Sequence, residues 1–363
     1  MTDGQTRHGY GCVVVGVDGS ASALDAVRWA ARDAALRGRP LRLVHALGQP
    51  ERGRPGRRTV AVGARKGEGD NEEACLRAAH DVAHAVDPGV EVVARLRTGD
   101  SRVVLLDESR HAELVVLGSR GLRGASRLLL GSAGLCVAGH GCCPLVVVRG
   151  RPGPSRPVLV GVDNWPDSAA AARFAFAEAA LRGVGVTAVR TWSELGDSAT
   201  AHAVHHAQLA SCLARLIEEF PAVPVDHLVV RGRPRRVLQR YGERAGLIVV
   251  GSRGRSAFAG LLFGSASQEL VGGAPCPVAV VPSIAAWRSP LRAGSPHAWK
   301  ENEMDDREKA QAAAEARKAA GAGTRSVAEL SERAVQRYLA AQSYRDGNWE
   351  SEVDSVPPER GES

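Results

Sequence analysis

The chain is 363 residues long, 44% apolar and 24% charged, with a net charge of +7 at neutral pH. That length suits two domains with packed cores. No apolar run reaches the roughly 18 residues that a membrane span needs, and Met1–His8 has no apolar signal region, so a cytoplasmic, membrane-free protein is expected. The basic balance invites a nucleic-acid reading. However, aromatics make up only 4% and the arginines are scattered apart from Arg52, Arg54, Arg57 and Arg58, so no nucleic-acid partner is expected. The 7 cysteines are odd in number and form no Cys-x-x-Cys pair, which fits small core residues in a reducing compartment.

In chain order, an apolar strand, Cys12–Val17, ends in Asp18 and leads into an Ala-rich segment whose 3.6-residue spacing (Leu24, Val27, Ala30, Ala31) predicts a helix packed on a sheet. A second strand follows at Leu41–His45. Gly48–Asn71 lacks periodicity and reads as a loop. A helix is predicted over Glu72–Ala85, a strand over Val90–Leu96, then a further helix, the strand Leu114–Leu117, a short helix and a last strand, Pro144–Val148.

Beyond the Pro/Gly segment Gly150–Pro157 the same order returns. Val158–Val162 ends in Asp163, an Ala-rich helix contains Phe174 and Ala175, and strands follow at Val186–Val189, Val225–Val230, Leu247–Val250 and Pro277–Val281, with a helix over Ala203–Glu219. Strands alternating with helices at this period predict parallel sheets covered on both faces. The predicted domains are 10–150 and 157–284, with 285–363 as a charged tail that is helical over Lys300–Ala320 and Ser326–Ser343 and disordered at its end.

A glycine pattern occurs once in each half. Gly118-Ser119-Arg120-Gly121 is followed after nine residues by Gly131-Ser132, and Gly251-Ser252-Arg253-Gly254 is followed at the same spacing by Gly264-Ser265. Each copy leaves an apolar strand and enters a helix, which is how a backbone makes an anion cradle: its N–H groups face a phosphate, and the helix start adds free donors. Where the winding reverses, the strand tips share one crevice, so Asp18 is expected beside Gly118 and Asp163 beside Gly251.

The Val-Asp strand end, the Gly-x2-Gly-x9-Gly-Ser motif and the Cys-Pro step into the last strand, in that order and twice, resemble the universal stress protein family in tandem form over roughly residues 10–284. The resemblance implies five-stranded doubly wound sheets of order 3-2-1-4-5, binding of ATP, and pairing through the last strand, here within one chain as an intramolecular pseudo-dimer or between chains as a homodimer. It implies that Asp18 and Asp163 line the nucleotide sites. Gly118, Ser119, Arg120, Gly121, Gly131 and Ser132 would surround ribose and phosphates in the first, and Gly251, Ser252, Arg253, Gly254, Gly264 and Ser265 in the second. Mg²⁺ is the expected companion where carboxylates approach phosphates. Ser132 and Ser265 are expected to cap their helices or to bond a phosphate oxygen.

No Lys follows the glycines as in a P-loop, and no Gly-x-Gly-x-x-Gly follows the first strand. His202, His205 and His206 lie at helical spacing without a carboxylate or thiol to complete a metal set, and no catalytic triad is legible. The expected function is therefore a nucleotide-dependent stress regulator, its tail open to a protein partner. A slow ATPase or a phosphoryl- or adenylyl-transferring enzyme is the alternative.

Overall fold

The computed structural model describes residues 11–48, 68–119, 131–150, 155–163, 168–192, 198–252 and 265–282. The predicted tail and the Arg52–Arg58 cluster lie outside the described residues. Contacts group residues 1–196 and 205–296 into one compact unit and residues 197–204 and 297–363 into a second. Both repeats of strands belong to the first unit.

The first repeat runs β1 (Cys12–Gly16), α1 (Ala21–Arg37), β2 (Leu41–Leu47), α2 (Glu68–Val86), β3 (Val92–Thr98), α3 (Ser101–Ser109), β4 (Ala112–Gly118), α4 (Ser132–His140) and β5 (Leu145–Val148). The second runs β6 (Val158–Gly161), α5 (Ala169–Arg182), β7 (Val186–Trp192), α6 (Ser198–Glu219), β8 (Val225–Arg231), α7 (Pro234–Gly242), β9 (Leu247–Gly251), α8 (Ser265–Gly273) and β10 (Val278–Val281). The last four residues of the predicted Gly48–Asn71 loop belong instead to α2, because the polar stretch before the periodic positions forms the helix's first turn.

Each repeat has the strand order 3-2-1-4-5, but the two sheets are not separate. They form one ten-stranded sheet, β3-β2-β1-β4-β5-β10-β9-β6-β7-β8. All pairs are parallel except β5 with β10, which run antiparallel with Val146 opposite Ala279. The central strands carry Val, Leu and Ile at almost every position and are buried on both faces, as parallel strands between helical layers must be.

Helix α1 starts at Ser20, whose hydroxyl accepts the Ala23 N–H at 3.1 Å, and stops at Gly38, which takes the left-handed conformation (φ 60°) that returns the chain to β2. Gly183 ends α5 in the same way (φ 63°). Small alanines let both helices lie close to the sheet: Ala23, Ala26, Ala30 and Ala34 in α1, and Ala171, Ala172, Ala175 and Ala179 in α5, are buried.

Where α1 meets α5, four charges are buried together. Asp33 and Glu178 are each 1% exposed. Arg37 reaches Asp33 of its own helix at 2.6 Å and Glu178 of the other, while Arg182 reaches Glu178 of its own helix and Asp33 of the other at 2.6 Å. Arg37 also binds Glu113 at 2.7 Å, and the Arg182 guanidinium lies 5.4 Å from the Trp29 ring centre. Asp33 and Glu178 stand 145 positions apart (178 − 33), as do Arg37 and Arg182 (182 − 37) and the tip residues Asp18 and Asp163 (163 − 18). The cluster is thus reciprocal, with each repeat offering its arginine to the other's carboxylate.

A second charged cluster has no such twin. Glu108 of α3 is buried and binds Arg42 of β2 at 3.0 Å and Arg97 of β3 at 2.6 Å. The corresponding residues of the second repeat are Thr187, Val230 and Tyr241, so the same space is filled there without charge.

Candidate functional site

At the carboxyl end of β1 the chain turns through Asp18, Gly19 (φ 82°) and Ser20. The half-buried Asp18 carboxylate accepts the Ser20 N–H at 3.0 Å, which fixes it just ahead of the first turn of α1. Strand β4 is the hydrogen-bonded neighbour of β1 and ends in Gly118. A Cβ on Gly118 would sit 2.5 Å from both the carbonyl oxygen and the hydroxyl of Ser22 in α1, so only glycine allows this approach. Just beyond it, the Ser119 N–H is held by the Val148 carbonyl of β5 at 3.2 Å. Asp18 and Gly118 therefore meet at the switch point, as the spacing predicts.

Helix α4 packs on α3 and β5. Its N-cap is Gly131, extended (φ −57°, ψ 159°), with no side-chain hydrogen bond to the first turn and nothing within 4 Å of a Cβ built there. The expected serine cap is not formed, because Ser132 is already the first helical residue, one position too late to accept from its own helix's first turn, and its side chain is exposed. The helix start thus keeps its orphan N–H donors for an external acceptor.

The flank of the first tip is made by β2 and α2. His45 donates from Nδ1 to the Val17 carbonyl at 2.8 Å, and the Cys75 sulfur lies 3.9 Å from that nitrogen. Burial pushes the Cys75 thiol up, and the nearby Asp18 and Glu72 carboxylates push it further, so it is held as a neutral thiol. Glu72 Oε2 is buried without a hydrogen-bond partner among the described residues. This flank carries negative charge.

The second repeat builds the same tip with a different flank. The corresponding positions are Arg190 for His45, His205 for Glu72 and Gln208 for Cys75. The buried Arg190 guanidinium donates to the Asp163 carbonyl at 2.6 Å, to His205 Nδ1 at 3.3 Å and to Gln208 Oε1 at 3.1 Å. His205 accepts through Nδ1 and packs on Trp192, with ring centres 5.8 Å apart. The Ser252 N–H binds the Val281 carbonyl at 2.8 Å, repeating the Ser119 bond. Ser267 adds a tie that the first repeat lacks: its hydroxyl donates to the Gly251 carbonyl at 3.0 Å and pins α8 to the tip of β9, where the first repeat has Gly134.

The structure thus places Asp18, Gly118, Ser119, Gly131 and Ser132 around one tip and Asp163, Gly251 and Ser252 around the other, with Ser265 opening α8. Arg120, Gly121, Arg253, Gly254 and Gly264 lie outside the described residues. Sequence reasoning missed His45, Glu72, Cys75, Arg190, Gln208 and Ser267. The first five become visible once the two repeats are aligned and asked where they differ in charge. No group of three metal-ligating side chains occurs among the described residues. Of the expected histidine face, His205 serves Arg190, and His206 meets His227 edge-on at 5.7 Å. Burial, then His206, holds His227 below the usual histidine range. No described helix is long and apolar enough to cross a membrane.

Two doubly wound α/β repeats, each with an acidic strand tip facing a glycine-ended strand, define a tandem α/β protein with a crevice at each switch point. The chain belongs to the universal stress protein family, whose sequence profile matches it twice, at residues 9–149 and 154–282. A universal stress protein of Mycolicibacterium smegmatis is 34% identical over 294 residues, covering 77% of this chain and 99% of that protein. One from Mycobacterium tuberculosis is 35% identical over 305 residues, covering 77% and 98%. Among solved structures, a universal stress protein from Archaeoglobus fulgidus DSM 4304 has the same fold, with a TM-score of 0.57 at 18% identity over 75% of this chain and 98% of that one.

Proposed function

We propose that this protein is an ATP-binding regulator of a stress response, cytoplasmic, with two unequal nucleotide sites on one intramolecular pseudo-dimer and a protein partner engaged through its tail. The observation that carries the reading is the approach of Gly118 to Ser22, which sets the end of β4 against the start of α1 just after Asp18, with the start of α4 left without a side-chain cap. The start of α4 offers free backbone N–H groups with the exposed Ser132 beside them, which is the chemistry a phosphate requires. Asp18 would supply a carboxylate for the Mg²⁺ that accompanies ATP, and Asp163 its counterpart. The sites are unequal because an acidic flank of Asp18 and Glu72 faces one ligand and a flank holding the buried Arg190 faces the other. The role is binding and conformational response, not turnover.

Calorimetric titration of the full chain with ATP and Mg²⁺ tests this. Two binding events of different affinity are expected, with Gly121→Val removing one and Gly254→Val the other, and no phosphate release above background. Folded protein that takes up no nucleotide would end the proposal. A subtler variant separates stability from ligand binding at the first site. Gly131 occupies an extended N-cap with open space around it, so Gly131→Ser fits sterically and supplies the missing cap. It is expected to stabilise the ligand-free protein by a few tenths of a kcal/mol, read as a slightly higher Tm. It should also weaken ATP binding at that site, because the new hydroxyl takes donors that the phosphate uses.

A further inference from the structure

We propose that the outer face of α7, which packs on α8, β6, β7 and β9, is a docking surface for a short acidic segment of a partner protein. Arg233, Arg236 and Arg240 follow one another at i, i+3 and i+7, so they form a single stripe about 10 Å long at 1.5 Å rise per residue. All three are exposed, and none makes an ion pair among the described residues. Val237 and Leu238 bury the opposite face of the helix. Arg231 extends the stripe from the end of β8, where its guanidinium lies 5.6 Å from the Trp192 ring centre and is held in place by it. The only acidic residue from Arg231 to Arg244 is Glu243.

The other repeat shows that the fold does not require this. Its matching helix, α3, carries Asp100, Val103 and Asp107 at the positions of Arg233, Arg236 and Arg240. There the charges are satisfied locally, Asp100 by Arg102 at 2.7 Å and Asp107 by Arg97 at 2.9 Å. One helix of the pair is self-neutralised, and its twin presents uncompensated arginine. A row of guanidinium forks is matched by carboxylates presented at helical or extended spacing.

A short acidic peptide fits this stripe better than a nucleic acid does. Single strands bind on aromatic platforms, whereas Trp192 is buried and Tyr241 is half-buried. A duplex needs a longer run of contacts than a stripe of this length offers.

The test is fluorescence polarisation of the full chain with a labelled peptide of about twelve glutamates, at low and at physiological salt. The R233E/R236E/R240E variant is expected to lose at least about tenfold in affinity. The R32E/R77E/R95E variant changes net charge equally at exposed positions elsewhere and is expected to change less than about twofold. R233Q/R236Q/R240Q, which adds no like charge, should fall between wild type and the reversal, and circular dichroism should be unchanged throughout. Equal losses in the two charge-reversed variants would reduce the effect to net charge and overturn the proposal. So would failure of the wild-type chain to bind the peptide, or tighter binding of labelled oligothymidylate than of peptide, which would make the surface a nucleic-acid one.

Discussion

Glu178→Gln is expected to lower the unfolding free energy by about 3–5 kcal/mol, the cost of removing one partner from a buried ion-pair cluster. The glutamine fills the same space, so the loss comes from charge: Arg37 and Arg182 are left inside the protein with Asp33 as the carboxylate they share. Asp33→Asn is expected to cost less despite its equivalent place. Burial, reinforced by the charge of Glu178, raises Asp33, so its ionised form is held at a cost. Burial also acts against Glu178, but Arg182 and Arg37 outweigh it and bring the group below the usual glutamate range. The signs then follow by linkage. Stability from Glu178 is present above its unfolded pKa and lost as pH falls through the lower folded value, whereas the Asp33 contribution is present in acid and lost as pH rises through its raised folded value. Urea unfolding across pH 3–7 should show a shallower acid loss in Glu178→Gln than in wild type. Equal costs for the two variants would contradict this division. Replacing all four charges by leucine and methionine is expected to recover much of the loss, since no charge is then left unpaired.

Gly118→Val is the second large effect. Its Cβ would lie 2.5 Å from the Ser22 carbonyl oxygen, a backbone atom that cannot rotate away, so the tip of β4 and the start of α1 must separate. Forced overpacking of this kind costs about 1–3 kcal/mol. The displaced tip is expected to weaken ATP binding at that site, read as loss of the first of the two calorimetric binding events. The second site should keep its affinity, since β9 and α5 are untouched. Loss of both binding events, with the Tm lowered by only a few degrees, would show that the sites do not act independently.

Much of the fold was legible because its signals are local. Apolar runs such as Cys12–Val17 and Leu247–Val250 must be strands buried on both faces. What escaped required a partner distant in sequence. Asp33 and Glu178 carry no local sign of their pairing; each is buried and bound by an arginine of the opposite repeat. Arg190 lies one residue past the predicted strand Val186–Val189; its role appears when β7 extends to Trp192 and the register places it at the position of His45 beside the tip of β6. Ser132 read as a cap because motif spacing locates a helix start only to within a residue or two, and the cap proved to be Gly131.

The antiparallel join of β5 to β10 bears on how the protein behaves when scarce. Two separate copies meeting at such an edge would obey mass action and come apart on dilution. Here the two halves are covalently tethered, so their encounter is governed by effective concentration rather than by abundance. The outer strands of the described sheet, β3 and β8, carry Arg95, Arg97 and Arg231, which discourage a further strand from adding. A cell holding few copies of this chain therefore keeps the paired arrangement intact.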